Sequence, residues 1–531
     1  MFGGETAAMI ARRTVTRRAL LAGSAAAVAA ARIRRARAFA GNPFTLGIGS
    51  GNPGPDSVIL WTRLAPQPLM PDADRPGGMP PEPVAVRWEV ALDDRLSQVV
   101  RNGEAIAMPE YAHAVHVECT GLEPGRDYWY RFITGGEVSP IGRTRTAPAR
   151  SAALDQLRFA FCSCANYELG YFAAYRHLAE EHPDLVVFLG DYIYEYVSQS
   201  PQKVRTHSDG VEANDLRTYR NRYAQYRTDP DLQKLHAAAP CLMTWSDHEV
   251  QNDYADRWSQ TFDDPQAFLA RRAAAYRAYW EHMPLPPAAM PQGPDMHLYG
   301  RCDFGALASF FILDARQYRS RLACDRPPRG GGKQITDAGC PERLEPRRSN
   351  LGVAQETWLF EQFRAAPAKW NIVAQEQLMA EFKERLDNGE IAHWSEDWNG
   401  FPAARTRLLT QMRDTRLANP VVIGGDIHSF WANDLKVDFD DPQAPIIASE
   451  FVGSSITSPG PPYDRFAAWL ADNPHIRFFD SRQRGYVMVD LRPQRMEVAF
   501  RAISDPADSS AEVTTLQRFV VADGKPGPVT V

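Results

Sequence analysis

Three apolar runs in this chain each end in a carboxylate with a second ligand-type side chain within three residues. Leu185–Leu189 leads into Gly190-Asp191-Tyr192-Ile193-Tyr194, Cys241–Trp245 into Ser246-Asp247-His248-Glu249, and Val421–Ile423 into Gly424-Gly425-Asp426-Ile427-His428. A fourth run, Leu157–Cys162, leads to the thiol of Cys164. Carboxylate, imidazole, phenol, amide and thiol groups gathered in one place hold metal ions, and several hard oxygens beside one thiolate and one imidazole point to more than one ion. Such clusters suit phosphoester hydrolysis, because the ions lower the pKa of an attacking water and offset charge on phosphoryl oxygens; Asp191 is the natural bridging carboxylate. No Gly-x-Ser-x-Gly elbow competes as a nucleophile motif.

Short apolar runs bounded by glycine read as fully buried strands, and in open sheets ligands bind beyond the carboxyl ends of the strands. The four groups are therefore expected to converge. Between Leu157–Cys162 and Leu185–Leu189, the segment Gly170–Glu181 has helical spacing with Phe172, Tyr175 and Leu178 on one face, and Pro183 stops it. Strand, helix and strand in succession imply parallel pairing with helices packed outside the sheet. Asn214–Leu235 reads as one long polar, aromatic-rich helix, and Arg484–Leu491 with Met496–Ala502 as a hairpin.

Upstream, from Phe44 to about Pro148, period-two segments such as Val84–Ala91, Ala114–Glu118 and Tyr128–Ile133 alternate with glycine and proline, which predicts an all-β sandwich over 41–148. Leu122–Tyr130 is similar to the corner of immunoglobulin-like and fibronectin-like sandwiches, where a tyrosine hydroxyl bonds to upstream backbone. The main domain then spans 151–531. Residues 1–40 read as an export signal: Arg17-Arg18 precedes a weakly apolar Ala-rich stretch too short to span a bilayer, and Ala38-Phe39-Ala40 fits a small-x-small cleavage site. The pattern resembles a twin-arginine signal, with the translocase as export partner and a periplasmic or secreted destination.

With 531 residues, 44% of them hydrophobic, the chain can bury a large core in two or more domains. A net charge of −6 gives no basis for nucleic-acid or anionic-membrane binding, so a small soluble ligand is expected. Of seven cysteines, Cys324 and Cys340 flank a Pro- and Gly-rich excursion and are the expected disulfide, Cys164 is the expected free thiol, and Cys119, Cys162, Cys241 and Cys302 read as small buried hydrophobes. Trp394, Trp398 and Phe401 read as packing residues that could wall a pocket, His393 as packing or an acid, His207 and Asp209 as a solvated polar loop, and Glu195 as a partner behind the ligands or a helix-start acid.

The blocks Gly190–Tyr196, Thr244–Tyr254 and Gly424–His428 resemble the signature blocks of the alkaline phosphatase D family, and Gly-Asp-x-x-Tyr is also the ferric block of purple acid phosphatases. The resemblance covers nearly the whole chain. It implies an α/β fold with a two-sheet metallophosphoesterase core flanked by helices behind the β-sandwich, and secreted hydrolysis of phosphate mono- and diesters with Fe(3+) and Ca(2+). Carried over by position, Cys164, Asp191, Tyr194 and His428 would surround the ferric ion. Asp191 would bridge to calcium, and Asp247, Asn252 and Asp426 would be further oxygen ligands or phosphate-orienting groups, with Asp253 an alternative to Asp247 or Asn252. His248 would face the phosphate, and Asp191, His248 and Asn252 form the implied catalytic set. The family block often reads Trp-Asp-Asp-His where this chain has Trp245-Ser246-Asp247-His248, which alters that calcium site if the first acid is a ligand. The alternatives are a phospholipase-D-like phosphodiesterase with the same site and a noncatalytic secreted adhesion protein.

Overall fold

A computed structural model describes residue 39 and residues 41–531 apart from 71, 73, 366 and 367. The export-signal reading of 1–40 therefore lies, except for residue 39, outside the described residues.

Two sheets pack face to face. Parallel strands Leu157–Cys162, Leu185–Leu189 and Cys241–Thr244 form the middle of a ten-stranded sheet. Ala308–Ile312, Trp370–Ala374, Pro420–Gly424 and Ile446–Val452, also parallel, form the middle of a seven-stranded one. Side chains alternate across a strand, and here both faces are covered. Leu185, Val187 and Leu189 enter the core between the sheets with Phe310, Ile372 and Val421, while Val186 and Phe188 face the helix layer. Phe311, Val373 and Val422 enter a third core beneath the helices Gly352–Arg364 and Pro402–Asp414. Burial on both faces is why these strands read as unbroken apolar runs. The α/β fold with two packed sheets between helix layers is as expected.

The Asn214–Leu235 reading is corrected: two helices, Leu216–Arg227 and Pro230–Ala238, replace one. Proline cannot sit inside a helix without losing a hydrogen bond, but it suits the first turn of a new one, where the Asp229 carboxylate accepts from the amides of Asp231 and Leu232. The C-terminal hairpin forms as expected, with Arg484 opposite Ile503, and two further strands, Val513–Ala522 and Lys525–Thr530, extend it.

Residues 41–148 build two facing sheets. One contains Val84–Ala91, Val99–Ala107, Asp127–Thr134, Glu137–Val138 and Gly142–Arg145; the other, Ile48–Gly51, Ser57–Arg63 and Ala114–Thr120, is the end of the ten-stranded sheet. Gly51 pairs in parallel with Cys241, where a Cβ would lie 2.4 Å from the Pro284 carbonyl. The Tyr128 hydroxyl accepts from the Glu123 amide at 2.8 Å, the corner predicted from the sequence. A disulfide joins Cys324 to Cys340, and the other five cysteines are free. No helix among the described residues is long and apolar enough to cross a membrane.

Candidate metal centre

Because both strand sets run parallel, their carboxyl ends open on one edge, and the four read-out strand ends meet there. Ligand atoms of Cys164, Asp191 and His428 all lie within 4.8 Å of one another, as do those of Asp191, Asp247 and His248. Asp191 belongs to both groups. The Tyr194 hydroxyl lies 3.2 Å from Asp191 Oδ2 and 3.1 Å from His428 Nε2, and the Ser458 hydroxyl donates to it at 2.7 Å.

The turns that deliver these side chains are unusual. Cys164, Asp191, Asp426 and His428 all adopt left-handed backbone, with φ of 61°, 49°, 66° and 55°. Non-glycine residues held there cost of order 1–3 kcal/mol each and persist only where surroundings over-determine them. Glu249 supplies part of that constraint. Its buried carboxylate accepts from the amides of Asp191 at 3.1 Å, Tyr192 at 2.6 Å and Ser246 at 2.7 Å, tying the turn after Leu189 to the turn after Thr244. Gly190 lets these turns touch, since a Cβ on it would sit 2.4 Å from the Ser246 nitrogen.

Two electrostatic environments adjoin. Around Cys164, Tyr194 and Asp191, burial pushes all three acids well above their ordinary ranges, and among the described residues no side-chain cation hydrogen-bonds to any of them. His428 is held down to about 3 by burial and then by Arg484, and the Pro459 carbonyl lies 2.9 Å from its Nδ1. A neutral ring that donates from Nδ1 presents Nε2 as an acceptor to the cluster, as a ligating histidine does. Thiol, phenol, carboxyl and neutral imidazole fit a highly charged cation that would remove their protons.

The other side carries its own cation. Arg316, fully buried, places Nη2 3.1 Å from Asp426 Oδ1, 3.5 Å from Asp247 Oδ1 and 2.9 Å from the Ser246 hydroxyl, and its Nη1 pairs with Glu396. Burial alone would raise Asp247, but Arg316 and His248 hold it well below the carboxylate range. Asp426 is raised by burial and Glu396 despite Arg316. Ser246 accepts from this guanidinium and donates to Asp247 Oδ1 at 3.1 Å. His248 is buried, which opposes its charge, yet Glu195, Asp247 and Asp191 together push it well above the ordinary histidine value; Glu195 Oε2 lies 2.7 Å from its Nδ1. Glu195 also accepts from the Asn252 amide at 2.8 Å, which places Asn252 beside the cluster through its backbone.

Some readings change. His207 is buried, 3.3 Å from Glu168 and stacked on Tyr167 and Tyr226, and Asp209 pairs with Arg222, so these two side chains are packed inward and not solvated. Trp398 and Phe401 are core residues, while Trp394 stays 38% exposed on the rim. Sequence reasoning missed Arg316 and Glu376, a buried carboxylate 3.7 Å from Arg316 Nε, and saw no role in Glu249. Leu313-Asp314-Ala315-Arg316 follows the Ala308–Ile312 strand and Gln375-Glu376 follows Trp370–Ala374, so strand ends in the second sheet carried the same signal.

A family model described as PhoD-like phosphatase matches residues 159–500, and one for the N-terminal domain of PhoD-like phosphatases matches 27–148. Alkaline phosphatase D of Bacillus subtilis (strain 168) is 44% identical over 511 residues, covering 95% of this chain and 85% of the relative. The solved structure titled "Structure of PhoD" superposes with a TM-score of 0.88 at 44% identity, covering 93% of each chain.

Proposed function

The chain belongs to the PhoD-like phosphatases and is a phosphoric-ester hydrolase of the alkaline phosphatase D type, and from that premise we propose that it cleaves phosphate mono- and diesters at a centre holding a ferric ion beside calcium. The observation that carries this is the double membership of Asp191, whose carboxylate lies within ligand distance of Cys164 and His428 on one side and of Asp247 and His248 on the other. Phenol and thiol donors suit a trivalent ion, carboxylate and amide oxygens suit calcium, and a shared carboxylate suits both. When bound, such ions lower the pKa of an attacking water and offset charge on phosphoryl oxygens.

The chain's own residues supply the rest. Cys164, Asp191, Tyr194 and His428 would hold the first ion, and Asp191, Asp247, Asn252 and Asp426 the second set. His248, kept protonated by Glu195, is placed to donate a proton or hydrogen bond at a phosphoryl or leaving oxygen. Arg316 fixes Asp247 and Asp426 and adds fixed positive charge where phosphoryl charge develops. Twin-arginine export to the periplasm or beyond is the destination that the paired arginines support.

Direct attack by water inverts configuration at phosphorus, whereas a phosphoenzyme gives two inversions and net retention. Hydrolysis of a chiral phosphate ester is expected to invert; retention overturns the scheme.

A further inference from the structure

Gly330-Gly331-Gly332 lies in the loop closed by the Cys324–Cys340 disulfide. The Gly332 amide donates to Asp253 Oδ2 at 2.8 Å, and Gln260 Nε2 donates to the same oxygen at 3.2 Å. Asp253, in left-handed backbone with φ of 56°, in turn donates its amide to Asp247 Oδ2 at 2.6 Å. The loop has a second anchor: the Lys333 amide donates to the Ser395 hydroxyl at 3.1 Å, and the Ser395 amide donates to the Lys333 carbonyl at 2.9 Å. Ser395 immediately precedes Glu396, the carboxylate that grips Arg316 and Arg319. One loop thus reaches both flanks of Arg316, through Asp253 to Asp247 and through Ser395 to Glu396.

The fit is too close for a mere surface cover. A Cβ on Gly331, whose φ is +103°, would lie 2.5 Å from Asp253 Oδ2, and one on Gly332 would lie 2.5 Å from the Trp394 ring. Those glycines let loop backbone reach the aspartate and the indole directly. The arm contacts neither Cys164 nor Tyr194 in any hydrogen bond of the described residues.

We propose that Asp253 is a positioning residue for the Asp247 and Arg316 half of the site, seated by the triglycine segment of the disulfide-closed loop, so that the disulfide and the site act as one unit. This rests on the phosphoesterase reading of the site but not on which metals fill it.

The test is a cycle of full-length, oxidised variants assayed on p-nitrophenyl phosphate: C324S/C340S, D253A, D253N and the combined C324S/C340S/D253A, each checked by circular dichroism for native structure. Losing a partner that only orients a ligand costs ~10–100-fold, so C324S/C340S and D253A are each expected to lower kcat by about tenfold or more. D253N, which keeps an oxygen acceptor for the Gly332 amide, is expected to recover most of that loss. The combined variant is expected to lose less than the product of the two separate losses, because groups that share a contact are not additive. Wild-type turnover in C324S/C340S, or losses that multiply in the combined variant, overturns the proposal. If C324S/C340S does not fold, G331A takes its place in the same cycle, with the same two overturning results. Because the cycle is read in turnover, a wild-type enzyme lacking iron would count against the metal reading and not against this one.

Discussion

The two halves of the site solve the problem of buried negative charge differently. On the Asp247 side a buried guanidinium is built in and helps hold Asp247 ionised, although Asp426, which it also faces, is raised by burial and Glu396. On the Cys164 side the donors face one another with no side-chain cation bonded to them, and burial keeps their protons on. An uncompensated ion in a low-dielectric interior costs several kcal/mol, and proteins escape that cost by pairing or protonation. Here Asp247 uses pairing, and Cys164, Tyr194 and Asp191 are pushed toward protonation.

The sharpest way to break the contrast is at the residue both halves share. Asp191→Asn is expected to lower turnover by at least ~10³-fold and metal content with it, more than the ~10–100-fold of a residue that merely orients a ligand. The fold should survive, since Val186–Leu189 stay buried. Normal metal content with abolished activity would recast Asp191 as a base, and near-native behaviour in both would make it a turn residue. Arg316→Met should do the opposite, leaving Asp247, Asp426 and Glu396 without their counter-charge and costing about 3–5 kcal/mol of stability by denaturant titration. An unchanged midpoint would show that the guanidinium is not what balances those acids. Glu249→Gln should cost about 1–3 kcal/mol, because an amide group cannot serve all three backbone donors and leaves at least one buried N–H unpaired; equal stability would deny the clamp. Smallest in stability, at about 1 kcal/mol, is Tyr194→Phe. It is the most diagnostic spectrally: a ferric tyrosinate should colour the wild type and this variant should lose the band, while Arg316→Met keeps it. Elemental analysis finding only zinc or magnesium in active enzyme refutes the iron and calcium assignment.

What could be read from the chain follows from how local the cause is. Asp191, Tyr194, Asp247, Asp426 and His428 end buried strands, so the apolar run and the polar break sit side by side in sequence and announce one another. The same held for the disulfide and for the Tyr128 corner. Arg316 escaped although it follows a buried strand, because an arginine is not a ligand-type residue and its partners Asp247 and Asp426 lie 69 and 110 positions away. The Asp229-Pro230 break escaped because tyrosine periodicity before it and the Leu232 and Leu235 spacing after it masked a cap that a Pro at the first helical position signals. The seam between the sandwich and the main sheet escaped because it joins groups far apart in sequence: Gly51 pairs with Cys241, His116 stacks on Trp280, and Arg227 lies over Trp61.

That seam bears on how the enzyme can be dissected. Gly51 at the end of Ile48–Gly51 pairs with Cys241, the first residue of the strand that ends in the Asp247 turn. Excising residues 41–148 would strip Cys241 of its backbone partner and uncover Trp280 and Arg227, which pack against His116 and Trp61, and exposed apolar surface of that kind recruits other chains. A minimal catalytic fragment beginning at 151 is therefore predicted to aggregate, and swapping this leading unit between homologues would succeed only if the edge strands travel with the catalytic half.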